Sequence, residues 1–119
     1  MRILIVDDDP VVSRLLKDFL TLKGFYVQTS DNGSEALELI KREGFQVLVT
    51  DYDMPGLNGI ELTGIVRSLC QDLLIVGMSA DSKEPDFLKA GADLFIQKPF
   101  SLFKLSELIS NLFLKNHAE

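Results

Sequence analysis

Five short runs of strand-forming residues alternate with five segments whose apolar residues recur every three or four positions, and that alternation leaves the chain few folds to choose from. Ile3-Leu4-Ile5-Val6 and Val47-Leu48-Val49-Thr50 are apolar almost without a break, as strands covered on both faces must be. Phe25 to Thr29, Leu73 to Met78 and Leu94-Phe95-Ile96 are the other three strands. Asp9 is placed to cap a first helix, with Pro10 in its first turn, Val12, Leu15, Leu16, Phe19 and Leu20 on its apolar face, and Gly24 at its end. Ala36, Leu37 and Ile40 mark a second helix, closed by Gly44. Asn58 with Glu61 three residues on reads as a capping box, opening a third helix whose buried stripe is Leu62, Ile65, Val66 and Leu69. A short helical segment from Pro85 to Ala90 stops at Gly91, and Ser101 caps a last helix with Leu102, Leu105, Leu108, Ile109, Leu112 and Phe113 on its core face.

Each parallel connection has to cross over the sheet, so strands that alternate with helices predict an α/β fold with helices on both faces. The expected architecture is a flavodoxin-like doubly wound parallel sheet of five strands, in the order 2-1-3-4-5, with five helices. At 119 residues the chain is one domain's length, read as a single domain over 1–119 with no output domain in this chain. A hydrophobic share of 46% is too high for a disordered tail. The 18 Asp and Glu outweigh 12 Lys and Arg, and the resulting charge of -6 repels phosphate backbones and anionic membranes, so neither direct nucleic-acid nor membrane binding is expected. No apolar run reaches the ~18 residues of a membrane span, Ile3 to Val6 runs straight into three aspartates as no secretory leader does, and the one cysteine, Cys70, cannot form an intrachain disulfide. A cytoplasmic location follows as the expectation. Cys70 reads as a packing residue at a helix end, and His117 as a solvated tail residue with no companion ligand.

In such a sheet, ligands bind beyond the carboxyl ends of the strands, where the first and third strands meet. The residues there are Asp7 and Asp8 after the first strand, Asp51 after the third, Ser79 after the fourth and Lys98 after the fifth. Asp9 already serves as the helix cap, so Asp7 and Asp8 need another reason to be present. Three converging carboxylates would raise one another's pKa unless a cation stood between them, and Lys98 offsets only one charge. An all-oxygen donor set suits Mg²⁺, Mn²⁺ or Ca²⁺ rather than zinc, and Mg²⁺ so held keeps positions open for water and a phosphate oxygen. Neither G-x-G-x-x-G nor G-x-x-x-x-G-K follows the first strand, which excludes nucleotide cradling of the Rossmann or P-loop kind.

From end to end the chain resembles the receiver domain of two-component response regulators. The matching pieces are Ile3 to Asp9, Val47 to Asp51 with Met54-Pro55-Gly56 and Asn58-Gly59, then Ser79-Ala80, Ala90-Gly91-Ala92 and Lys98-Pro99-Phe100, in the family's order at the right strand ends. The resemblance implies that Asp51 accepts a phosphoryl group from a phosphohistidine on a sensor histidine kinase or a histidine phosphotransfer protein. It further implies that Asp7, Asp8, Asp51 and the backbone carbonyl of Asp53 hold Mg²⁺, with Mn²⁺ as the alternative, and that Lys98 pairs with the phosphoryl charge while Ser79 hydrogen-bonds one of its oxygens. Ser79 and Phe95 take the switch positions, and Lys98-Pro99 is the family's cis peptide. Such a phosphoprotein catalyses its own phosphorylation and dephosphorylation without being an enzyme otherwise. It acts on a downstream protein target as a monomer or phosphorylation-dependent dimer. Asp53 and Asp81 are expected to flank the entrance to the acceptor.

Two alternatives carry different chemistry. Asp51-Tyr52-Asp53 is an Asp-x-Asp after an apolar strand, as in haloacid-dehalogenase-like phosphatases, but those enzymes place it on the first strand and carry a cap domain for which 119 residues leave no room. A degenerate receiver acting only as a binding module would not need Asp8, Asp51, Ser79 and Lys98 together.

Overall fold

A computed structural model describes residues 1–117, with side chains for 1–112 and 114. Phe113 and His117, as side chains, therefore lie outside the described residues. The elements run β1 (Arg2–Val6), α1 (Pro10–Leu22), β2 (Tyr26–Ser30), α2 (Gly33–Arg42), β3 (Val47–Asp51), α3 (Gly59–Leu69), β4 (Leu74–Ser79), α4 (Glu84–Ala90), β5 (Leu94–Gln97) and α5 (Leu102–His117). The five strands form one parallel sheet in the order β2-β1-β3-β4-β5, as the alternation predicts. The register pairs Val6 with both Ser30 and Thr50, Asp51 with Met78, and Ser79 with Gln97, which brings the strand ends level. Asp51 and Ser79 are the last residues of their strands rather than the first beyond them.

Successive residues of a strand point to opposite faces, and the two cores divide accordingly. Leu4, Val6, Leu48 and Ile75 face α2, α3 and α4, where they meet Ala36, Leu39, Ile40, Leu62, Val66 and Phe87. Ile3, Ile5, Val47, Val49, Val76 and Ile96 face α1 and α5, against Leu16, Leu20, Leu105 and Ile109. The caps lie where the sequence puts them. Asp9 accepts from the Val11 amide, Asn58 and Glu61 complete the capping box, and Ser101 Oγ accepts from the Lys104 amide. Cys70 caps the C-terminal end of α3 and is half-buried against the first core.

Three apolar residues do not lie where their spacing suggests. Leu15 is 55% exposed, Ile65 37% and Leu69 54%. On α1 the buried line runs through Ser13, Leu16 and Leu20, and Leu15 sits more than a quarter of a turn outside it, on the rim of a groove with Pro99, Phe100 and Leu102. On α3 the buried line is Gly59, Leu62, Thr63 and Val66. Gly59 sets that rotation: a Cβ at position 59 would overlap the Asp51 carbonyl, so only glycine lets the helix start against the end of β3. With Gly59 turned inward, Ile65 and Leu69 turn toward solvent. The short α4 is anchored from beneath by Arg67, which donates to the carbonyls of Gln71 at 2.8 Å, Leu73 at 2.7 Å and Gly91 at 2.9 Å and pairs with Asp93 at 2.8 Å.

Candidate functional site

Asp7, Asp8 and Asp51 converge at the carboxyl ends of β1 and β3, each offering a carboxylate oxygen within 4.8 Å of the others. Asp7 and Asp51 are buried, 1% and 6% exposed, while Asp8 faces solvent. Asp7 sits one residue beyond β1, where its amide donates to the Ser30 carbonyl and its Oδ1 accepts from the Asp9 amide at 2.9 Å. The other oxygen, Oδ2, receives Lys98 Nζ at 3.0 Å, and the same ammonium lies 3.1 Å from Asp51 Oδ1. One cation is thus divided between two buried anions, with a third anion at the mouth.

Burial pushes the Asp51 carboxyl above its ordinary pKa, the charge of Asp7 pushes it further, and Lys98 only partly restores it. For Lys98 burial works the other way, yet the two carboxylates outweigh it and the ammonium is held above its ordinary value. Two carboxylates more than one lysine can neutralise, all-oxygen donors and one open side form a set that fits a hard divalent cation.

Ser79 is buried at the end of β4, its carbonyl accepting from the Lys98 amide at 2.8 Å, so the serine and the lysine are tied through the backbone. Ser79 Oγ accepts from the Asp81 amide at 3.0 Å. The Lys98-Pro99 bond is cis. Asp53 and Asp81 are exposed on the loops after β3 and β4. Phe95 stands apart from the acids. Its half-buried ring tilts against buried Phe87 at 5.7 Å between centroids, and Phe87 in turn lies over Gly77, where no Cβ would fit.

Two hydroxyls that the sequence reading passed over support the acids from behind. Ser13, on the buried line of α1, donates to the Asp7 carbonyl at 3.1 Å, and Thr50, wholly buried in β3, donates to the Asp51 carbonyl at 3.0 Å. The available signal was a small polar residue at a position where the period calls for an apolar one.

A response regulator receiver domain model matches residues 3–110. The response regulator MprA of Mycobacterium leprae is 41% identical over 108 residues, which is 88% of this chain and 47% of MprA, so the chain spans about half the length of that relative. The chemotaxis protein CheY-3 of Vibrio cholerae is 34% identical over 119 residues, covering 95% of this chain and 92% of its own. Among solved structures, the response regulator TrrA of Thermotoga maritima, in complex with Mg²⁺-BeF, superposes with a TM-score of 0.87 at 34% identity, covering 93% of this chain and 97% of TrrA.

Proposed function

Because the chain belongs to the response regulator receiver family, we propose that Asp51 is its phosphoryl acceptor, fed by a phosphohistidine on a sensor kinase or phosphotransfer protein, and that the modified domain switches the binding of a downstream protein. The observation that carries the reading is the single Lys98 ammonium shared between Asp7 and Asp51 beside exposed Asp8. Structural neutralisation alone would pair a lysine with one buried acid and would not gather a third carboxylate within 4.8 Å of the other two. The haloacid-dehalogenase-like alternative is disfavoured because Asp51 stands on the third strand, beside acids from the first.

In the transfer, an Asp51 oxygen attacks phosphorus, the P–N bond breaks, and the imidazole leaves with the bonding electron pair. Asp7, Asp8, Asp51 and the Asp53 carbonyl would hold Mg²⁺, or Mn²⁺ in its place, which when bound supplies positive charge to the phosphoryl oxygens. Lys98 stays paired with Asp7 and offers its remaining N–H groups to the incoming charge. Ser79 Oγ already accepts from Asp81, which leaves its own proton to donate to a phosphoryl oxygen. Phe95, one strand over and in contact with Phe87, is the residue through which that hydrogen bond would be felt at the surface. Hydrolysis of the acyl phosphate by the same groups makes the mark temporary. The test is the mass of the protein after incubation with acetyl phosphate and Mg²⁺: one phosphoryl group on the parent and none on Asp51→Asn. Equal labelling of the two would overturn the assignment.

A further inference from the structure

We infer that Thr50 is a positioning residue for the acceptor: its buried hydroxyl holds the Asp51 carbonyl and thereby fixes the direction in which the Asp51 side chain leaves β3. The inference rests on Asp51 being the acceptor.

β3 is the central strand, paired with β1 at Val6 and with β4 at Gly77 on either side of Thr50. Its neighbours Val47, Leu48 and Val49 are fully buried and apolar, and Thr50 is equally buried. A hydroxyl in that position is costly unless it is hydrogen-bonded, and its acceptor is the carbonyl of the next residue. That carbonyl belongs to the peptide group after Asp51, so the hydroxyl restrains the backbone on which the Asp51 side chain is mounted. Gly59 lies so close to the same carbonyl that a Cβ there would overlap it. Gly59 is itself held twice, by its amide donating to Tyr52 O at 3.0 Å and by the buried Thr63 hydroxyl donating to its carbonyl at 2.7 Å. The Tyr52 amide in turn donates to Met78 O at 2.9 Å. The backbone around the acceptor is therefore fixed by two buried hydroxyls, one glycine contact and two main-chain bonds. An aspartate has only two side-chain torsions, so its aim is inherited from that backbone. A displacement of about 1 Å at a reacting group can cost on the order of 100-fold in rate.

The experiment compares Thr50→Val, nearly the same shape without the hydroxyl, with Thr50→Ser, which keeps the hydroxyl. Phosphorylation by acetyl phosphate is followed at varied donor and Mg²⁺, with rates referred to folded protein from parallel melts. Thr50→Val should lower the rate at saturating donor about tenfold while the half-saturating donor and Mg²⁺ concentrations stay within about twofold, and Thr50→Ser should remain within about twofold of the parent. Should Thr50→Val not fold, Thr50→Cys takes its place, since a thiol is only a weak donor. A Thr50→Val rate equal to the parent's overturns the inference while leaving Asp51 as acceptor. So does a Thr50→Ser rate as low as that of Thr50→Val, which would assign the effect to shape. A parent that takes no label overturns the acceptor reading and this inference with it.

Discussion

Ionising Asp51 costs the fold stability. Its pKa is raised by burial and by Asp7, so protonation favours the folded state. The stability that proton confers is present below the unfolded-state pKa and is lost as pH rises through the higher folded-state value. Asp51→Asn, which cannot ionise, should therefore melt above the parent at neutral pH in EDTA. The gain should shrink as pH falls through the Asp51 titration; melts at neutral and acid pH in which the parent is the more stable at neutral pH would contradict it. Lys98→Ala differs in kind. It leaves two buried carboxylates unshielded, so it should lower the melting temperature in EDTA yet still bind Mg²⁺, at least as tightly as the parent because a competing cation is gone. Calorimetric titration decides this, and absent Mg²⁺ binding by Lys98→Ala would mean the lysine organises the metal site. Asp53 and Asp81 are exposed carboxylates on the loops after β3 and β4. If they line the approach, one unit charge at about 7 Å opposes an anionic donor by roughly 0.6 kcal/mol in water and about 2.4 at an effective dielectric near 20. Asp53→Asn or Asp81→Asn should then speed labelling by acetyl phosphate by about 3- to 50-fold, with a gain that shrinks as salt rises. Stopped-flow rates at two ionic strengths read this out, and equal rates would place both acids off the path.

Elements owe their position to contacts that a period along the chain does not encode. The five strands, the caps at Asp9, Asn58 and Ser101, and the order of the sheet were legible because each depends on neighbouring residues or on the handedness of crossovers. The buried face of α3 was not. Leu62, Ile65, Val66 and Leu69 form a helical stripe on paper, but the docking of Gly59 on the Asp51 backbone turns the helix to bury Thr63 instead. Likewise the acids and Lys98 could be located from the strand ends, whereas Ser13 and Thr50 could not, because their importance lies in a carbonyl several ångströms away rather than in a motif. Gly59→Ala tests the point. Its methyl would meet backbone, which yields less readily than a side chain, so the cost should be about 1 to 3 kcal/mol with a parallel loss of labelling. A melt unchanged from the parent would show that α3 can slide away from β3.

At the scale of the molecule, the acid cluster concentrates part of a charge of -6 at one end of the sheet. Mg²⁺ that binds only the folded chain should stabilise it by about 2.7 kcal/mol at a hundred times its dissociation constant. Asp8→Asn should forfeit most of that gain, and a matching ionic strength of NaCl should not reproduce it in the parent. Thermal melts across an MgCl₂ series provide the check, and a parent indifferent to Mg²⁺ would leave the carboxylates without their proposed role. Because all five strands run the same way, the acid cluster lies at one pole of the domain, beyond the carboxyl ends of the strands. Cys70, the sole thiol of the chain, caps α3 at the opposite pole, at the other end of the helix that Gly59 docks on β3. A fluorophore attached there would sit on a lever whose fulcrum is Asp51, the proposed acceptor, and would turn a tilt of α3 into an optical signal from the pole opposite the acid cluster.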